Sequence, residues 1–85
     1  MAHFALIENG CVNRVIVVSN DDCGGGNFPT SELVGQAFIA ALGLAGEWLQ
    51  TSYNGNFRGT YAGIGYIYDP AIDTFTPPPT LDLEA

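Results

Sequence analysis

The sequence predicts a small antiparallel α+β domain, with element order ββαβββ and one helix packed on the sheet. Three observations lead there. Two β-rich arms flank an Asn-Gly pair at 9–10. A single helical stretch follows a glycine-rich loop. Three short extended runs then alternate with tight turns, and connections this short join antiparallel neighbours.

Taken in order, His3 to Ser19 (HFALIENGCVNRVIVVS) reads as a β-hairpin, because both central positions of an Asn-Gly turn tolerate positive φ. Its second arm carries VIVV at 15–18, β-branched on both faces. That pattern predicts burial on both sides, or one face on the core and one on a partner. Asn20 to Pro29 (NDDCGGGNFP) reads as a loop around three successive glycines. A helix follows, with Thr30 or Ser31 as its cap, Glu32 at its positive end and Gly43 at its stop. Leu33, Ala37 and Ala41 form one stripe, and Val34, Phe38 and Leu42 the next. So wide an apolar surface predicts a helix buried on most sides. Glu47 to Tyr53 reads as a third strand, Asn54 to Asn56 as a turn and Thr60 to Tyr68 as a fourth strand. Asp69 to Asp73 is a turn, in which Asp69 bonds its own backbone. Thr74 to Thr76 is a fifth strand, and Pro77 to Pro79 forbid its continuation. The domain thus spans 1–76, with 77–85 as an extended, proline-stiffened tail.

Composition sets bounds on function. The chain has 85 residues, 47% of them hydrophobic and 13% charged, which leaves apolar surface for a second subunit to cover. Arg14 and Arg58 stand against nine carboxylates, for a net charge of −7. Such a chain repels phosphate and anionic membranes, so neither nucleic acid nor a membrane is an expected partner. No apolar run approaches the roughly 20 residues of a membrane span. The first residues lack the basic region and apolar run of a signal peptide. Cys11 and Cys23 fit no metal spacing and are expected to be free thiols.

The stretch GNFRGTYAGIGYIY (55–68) invites three functional readings. A dinucleotide loop requires GxGxxG before a helix. Here Gly63 and Gly65 supply GxG, Tyr68 stands where the third glycine belongs, and no helix follows. A P-loop requires lysine, which the chain lacks. An RNA-reading aromatic strand is loosely echoed, yet the charge opposes a phosphate backbone. The structural reading is a glycine-bent strand, with Trp48 or Tyr53 of a neighbouring strand lying across Gly63 and Gly65.

Catalytic constellations are equally thin. His3, the single histidine, sits near the terminus and reads as an exposed strand residue. Asp21 and Asp22 lie on a loop, a poor frame for acid–base chemistry, and match no calcium motif. No catalytic residue, cofactor or metal site is expected, and the protein is not expected to be an enzyme. Arg58, beside Phe57 and near Tyr61, has the composition of an interface hot spot, against a plain reading as a solvated loop arginine. The other interface candidates are Tyr66, Tyr68, Pro77, Pro78, Pro79, Leu81 and Leu83.

The stretches MAHFALIENGCVNRVIVVSNDDC, WLQTSYNGNFRGTYAGIGYIYD and FTPP resemble a family of small proteins encoded by marine phages and cyanophages. The specific part is QTSYN, a basic residue and YAGIGYIYD, and the resemblance covers roughly residues 1–23 and 48–78. The CGGGNFP loop and the TPPPTLDLEA end depart from the family pattern. The resemblance implies a virion structural protein, assembled in the host cytoplasm, with other virion proteins as partners and a homo-oligomeric state. A capsid cement (decoration) subunit is the leading expectation and a tail or tail-fibre adaptor the alternative. An acidic host-directed binding or inhibitor protein is the expectation from a different class. The family offers no catalytic residues to carry over.

Overall fold

A computed structural model describes residues 2–78. It shows an α+β domain built on a five-stranded antiparallel sheet of order β3-β1-β2-β4-β5. The strands are β1 (Ala2–Glu8), β2 (Cys11–Val18), β3 (Glu47–Thr51), β4 (Ile67–Asp69) and β5 (Thr74–Thr76), and the helix is α1 (Thr30–Ala41). One short 3₁₀ turn, Asp21–Cys23, precedes the helix.

Local chemistry accounts for the hairpin. Asn9 (φ 54°) and Gly10 (φ 79°) take the two left-handed positions of a primed turn, and Glu8 pairs directly with Cys11. Between Leu6 and Ile7 the register shifts, so that Leu6 faces Arg14 while Ile7 faces Val12. Asn13 is the extra residue of a β-bulge. The bulge puts Val12 and Val15 on one face in spite of their odd spacing.

The pleat then divides the apolar residues between two cores. On one face Ala2, Phe4, Val18 and Trp48 pack with Cys23 and with Ile39 of α1. On the other, Ala5, Ile7, Val12 and Leu49 pack with Ala62 and Phe75. The helix covers the first face. The second is covered by irregular chain and the β4–β5 hairpin.

Four expectations about these elements need correction. The predicted fourth strand, Thr60 to Tyr68, is a strand only over Ile67–Asp69. Residues 60–66 cross the second face as irregular chain, and the Ala62 N–H is satisfied by Thr51 Oγ1 at 2.9 Å instead of by a neighbouring strand. Similarly, β3 ends at Thr51 and Tyr53 lies in a turn.

The helix stops at Gly43 as read. Gly43 takes φ 85°, its N–H bonds Ala40 O at 3.0 Å, and Leu44 N–H reaches back to Ile39 O at 3.4 Å, a Schellman closure. Its start and its buried face differ from expectation. Pro29 is the cap, without a side-chain bond, and Ser31 Oγ instead donates to Gln50 Oε1 at 2.7 Å in the interior. The buried line is Ser31, Gly35 and Ile39, while Leu33 and Leu42 are 70% and 57% exposed. A stripe chosen by hydrophobicity fails because Phe4 fills the space under the helix, and only a residue without a side chain lets α1 approach it.

Both thiols are free, Cys11 exposed and Cys23 buried. Burial, with Asp22 adding to it, pushes the Cys23 thiol up and keeps it protonated. An aromatic disulfide reagent is therefore expected to modify Cys11 alone in the native protein and both cysteines in denaturant, read by intact mass. Rapid native labelling of Cys23 would show that the core around Phe4 opens easily.

Candidate functional site

The densest polar arrangement among the described residues is centred on Arg58. Gly59 follows it, and both residues take positive φ, 57° and 78°, which turns the chain sharply back toward the sheet. The turn is pinned by Phe75 N–H donating to Arg58 O at 2.9 Å. From there the guanidinium reaches four elements. Nη1 donates to Glu32 Oε2 in the first turn of α1 and to Gln50 O of β3 at 3.0 Å. Nη2 donates to Glu32 Oε1 at 3.2 Å, and Nε to Asp73 Oδ1 at 2.8 Å in the β4–β5 turn. Its carbon lies 5.0 Å from the centre of the Phe28 ring, which in turn stacks on Phe57 at 3.9 Å.

The side chains of Arg58 and Glu32 are only 9% and 12% exposed. Arg58 is thus neither a solvated loop residue nor a free hot spot. It makes four hydrogen bonds, all within its own chain.

This arrangement closes one edge of the sheet. β3 is an edge strand, and an edge leaves N–H and C=O groups open for another chain to pair with. Here Gln50 N–H donates to Glu32 Oε2 at 2.8 Å, Gln50 O accepts from Arg58, and Trp48 O accepts from Gln36 Nε2 at 2.6 Å. Side chains of the helix and of the 58–59 turn stand where a neighbouring strand would be.

Asp73 links the cluster to Tyr68, whose hydroxyl donates to Asp73 Oδ1 at 2.5 Å. That bond, together with Arg58, holds the Asp73 carboxyl below its ordinary range against the opposing effect of desolvation. Burial and the same carboxylate push the Tyr68 hydroxyl up to about 12. A folded pKa above the unfolded one contributes stability below pH 10 that is lost as pH rises through about 12. Asp73 acts oppositely, contributing above its unfolded pKa and losing that contribution as pH falls through its lower folded value. Tyr68→Phe is therefore expected to flatten the alkaline limb of a stability–pH curve between pH 10 and about 12. An unchanged alkaline limb would show that the bond has no weight in the folded state. Asp73 is half-exposed, so its share at neutral pH is on the scale of a surface pair, below about 1 kcal/mol.

The other candidate residues separate into three groups. Phe57, Tyr66 and Tyr68 serve the interior: Phe57 stacks on Phe28, Tyr66 packs on the second core, and Tyr68 lies against Phe75 at 5.3 Å. The ring over Gly63 is that of Tyr66, which a Cβ there would meet at 3.1 Å, so neither Trp48 nor Tyr53 takes that place. Tyr61 joins a surface cluster with two residues not picked as interface candidates. His3 stacks on Tyr53 at 5.4 Å and meets Tyr61 edge-on at 5.4 Å. Desolvation lowers the His3 pKa. Pro77 and Pro78 are exposed, whereas Pro79, Leu81 and Leu83 lie outside the described residues.

Asp69 is the turn residue it was read to be, accepting from Ala71 N–H at 3.0 Å. Among the described residues there is no pocket, no cluster of three or more His, Cys, Asp or Glu side chains placed to hold a metal ion, and no helix long and apolar enough to cross a membrane. What the surface offers is apolar instead. Leu33, Val34 and Leu42 on the outside of α1 are exposed, as are Ile64 and Ile72. No family model matches the chain, and neither does any curated protein or any solved structure.

The signals that would have found Glu32 and Asp73 as Arg58 partners are weak in sequence. Few cations are available and one must answer any buried carboxylate, but nothing local says which of nine it is.

Proposed function

We propose that this protein is a virion structural protein, working as a small capsid cement subunit that lies on a shell and stabilises it. The reading rests on the resemblance of residues 1–23 and 48–78 to small phage proteins. The structural observation that carries it furthest is the outer face of α1. Leu33 and Leu42 expose most of their surface beside exposed Ala37 and Ala41, in a chain that otherwise carries a strong negative charge. An apolar surface on a small acidic domain fits a partner-facing role. The His3–Tyr53–Tyr61 cluster adds aromatic contact area of the kind that anchors interfaces.

Quantitative mass spectrometry of purified particles tests the reading. Cement predicts hundreds of copies per particle; six to a few dozen would move the protein to the tail or fibre. Absence from particles would reject the virion reading and favour an acidic host-directed binding protein. Within assembled particles, Leu33→Glu/Leu42→Glu is expected to lower occupancy while leaving the fold intact, because both side chains already face solvent.

A further inference from the structure

From Val15 onward the outer edge of β2 has no strand partner among the described residues. We propose that a second copy of this chain pairs there, β2 against β2 and antiparallel, about a twofold axis at Ile16. This goes beyond the virion reading and does not rest on it.

The hydrogen-bonding phase of β2 follows from β1 and from the bulge. Gln50 turns its main-chain N–H and C=O to the outer side of β3, so Phe4 opposite it bonds to β2, while His3 and Ala5 bond to β3. Phe4 stands opposite Ile16, His3 opposite Val17 and Ala5 opposite Val15. Val15 and Val17 therefore point their main-chain groups away from β1. On the other side of the bulge the outward residue is Val12, whose N–H donates to Tyr66 O at 2.7 Å and whose O accepts from Gly65 N–H at 2.8 Å. Asn13, the extra residue, accounts for the longer step from Val12 to Val15.

The stretch beyond Val12 is apolar and carries no guard. Edge strands are normally protected by a charge, a proline or a bulge. VIVV at 15–18 holds none of these, and Val17 is 52% exposed. On β3, by contrast, side chains of Glu32, Gln36 and Arg58 take up the outward groups.

The stretch is also complementary to itself. Val15-Ile16-Val17 reads the same in both directions. With the axis at Ile16, Val15 stands opposite Val17 of the partner subunit, and each such pair exchanges both its N–H···O bonds. Opposite residues share a face, so the valines of both copies meet on the second face, beside His3 and Ala5. Ile16 meets Ile16 of the partner subunit on the first face. An axis at Val15 or Val17 would instead set Asn13 or Ser19 against a valine.

Charge agrees with this register. No carboxylate lies within 14–18. Arg14 is exposed, whereas Arg58 is held by Glu32 and Asp73. The axis sets Arg14 opposite Val18 of the partner subunit, just before the exposed acidic turn that holds the partner's Asp21 and the partner's Asp22. Arg14 shares the first face with Leu6, and that turn packs Cys23 into the core of the same face. Symmetric contacts between arginine and acidic turn offset the repulsion of two acidic chains. The two five-stranded sheets become one, with both helices on the same side.

Sedimentation equilibrium of the full chain from about 10 μM to about 1 mM, with exchange of the Val15 and Val17 amides read by NMR, tests the proposal. The expected species is a dimer in which both amides exchange at least about tenfold more slowly than in the dilute monomer. Val17→Pro is expected to stay monomeric, because it removes an outward N–H and none given to β1. Val17→Glu, whose side chain already faces solvent, is expected to stay monomeric as well. Arg14→Glu is expected to weaken the dimer at least about tenfold, and adding Asp21→Arg to recover affinity. A full chain that is monomeric over the whole range would overturn the proposal. So would Val17 variants that dimerise as tightly as wild type, since association would then use another surface. An Arg14→Glu dimer as tight as wild type would overturn the axis at Ile16. Protection of both amides in a monomer would overturn the proposal in favour of cover by the chain itself.

Discussion

Replacing Arg58 with alanine is expected to lower the stability of this domain by about 3 kcal/mol, the scale for removing one partner of a buried ion pair. The large effect comes from what is left behind. Glu32 keeps a nearly buried carboxylate without its cation, and Gln50 O loses its donor on the β3 edge. The β4–β5 turn loses its tie to the helix through Asp73. Arg58→Lys is expected to fall between wild type and alanine, because one ammonium cannot reach Glu32, Gln50 O and Asp73 in three directions. Adding Glu32→Gln to Arg58→Ala removes the orphaned charge and keeps an acceptor for Gln50 N–H, so it should restore about 1 kcal/mol or more. Urea unfolding at constant slope measures all four proteins. A loss for Arg58→Ala below about 1 kcal/mol, the scale of an exposed ion pair, would refute the clamp. The removal also uncovers the outer edge of β3, so the variant is expected to self-associate more readily than wild type in sedimentation velocity.

Gly35→Ala is expected to destabilise the protein by about 2 kcal/mol even though alanine is the better helix former. The propensity gain is about 1 kcal/mol. Against it, a Cβ at position 35 would lie 2.2 Å from Phe4 Cζ, 2.7 Å from Phe4 Cε1 and 3.1 Å from Cys23 Sγ. Phe4 is wholly buried and cannot swing into solvent, so the helix must lift or the ring must leave its rotamer. Overpacking of this kind costs about 1–3 kcal/mol and sometimes more. In a domain this small a 2 kcal/mol loss lowers the thermal midpoint by roughly 8–16 °C. The clash has one named partner, so Phe4→Leu should make Gly35→Ala less harmful than it is in wild type. If Gly35→Ala raised the midpoint, the close approach of α1 to Phe4 would be wrong.

These two positions also show how far the sequence can be read. The hairpin was legible because Asn9 and Gly10 carry their own conformational preference, and the structure puts both at positive φ. The helix was legible over most of its length, and its stop at Gly43 was correctly placed. The fifth strand was bounded on both sides by proline and turn chemistry. By contrast, Thr60 to Tyr68 looked like a strand because aromatic and β-branched residues favour one, and in the structure most of it is irregular chain draped over a sheet face. Its glycines permit that path, but only the placement of Thr51 and Val12 as hydrogen-bond partners selects it. The helix stripe was misassigned for a related reason. Periodicity identifies the apolar residues of a helix, not which of them the rest of the fold leaves uncovered.

The sequence by itself determined the α+β class, the order of elements, the hairpin turn and the helix stop. Each of these follows from steric preferences acting over a few neighbouring residues. Only the tertiary structure decided that Arg58 is an internal clamp, that Gly35 is the contact point of α1, and that side chains cap the outer edge of β3. Those outcomes depend on residues far apart in the chain, Arg58 and Glu32 being 26 positions apart. A guanidinium is chemically able to pair with any of nine carboxylates, and it is the packing of the helix against the sheet that brings one of them within reach.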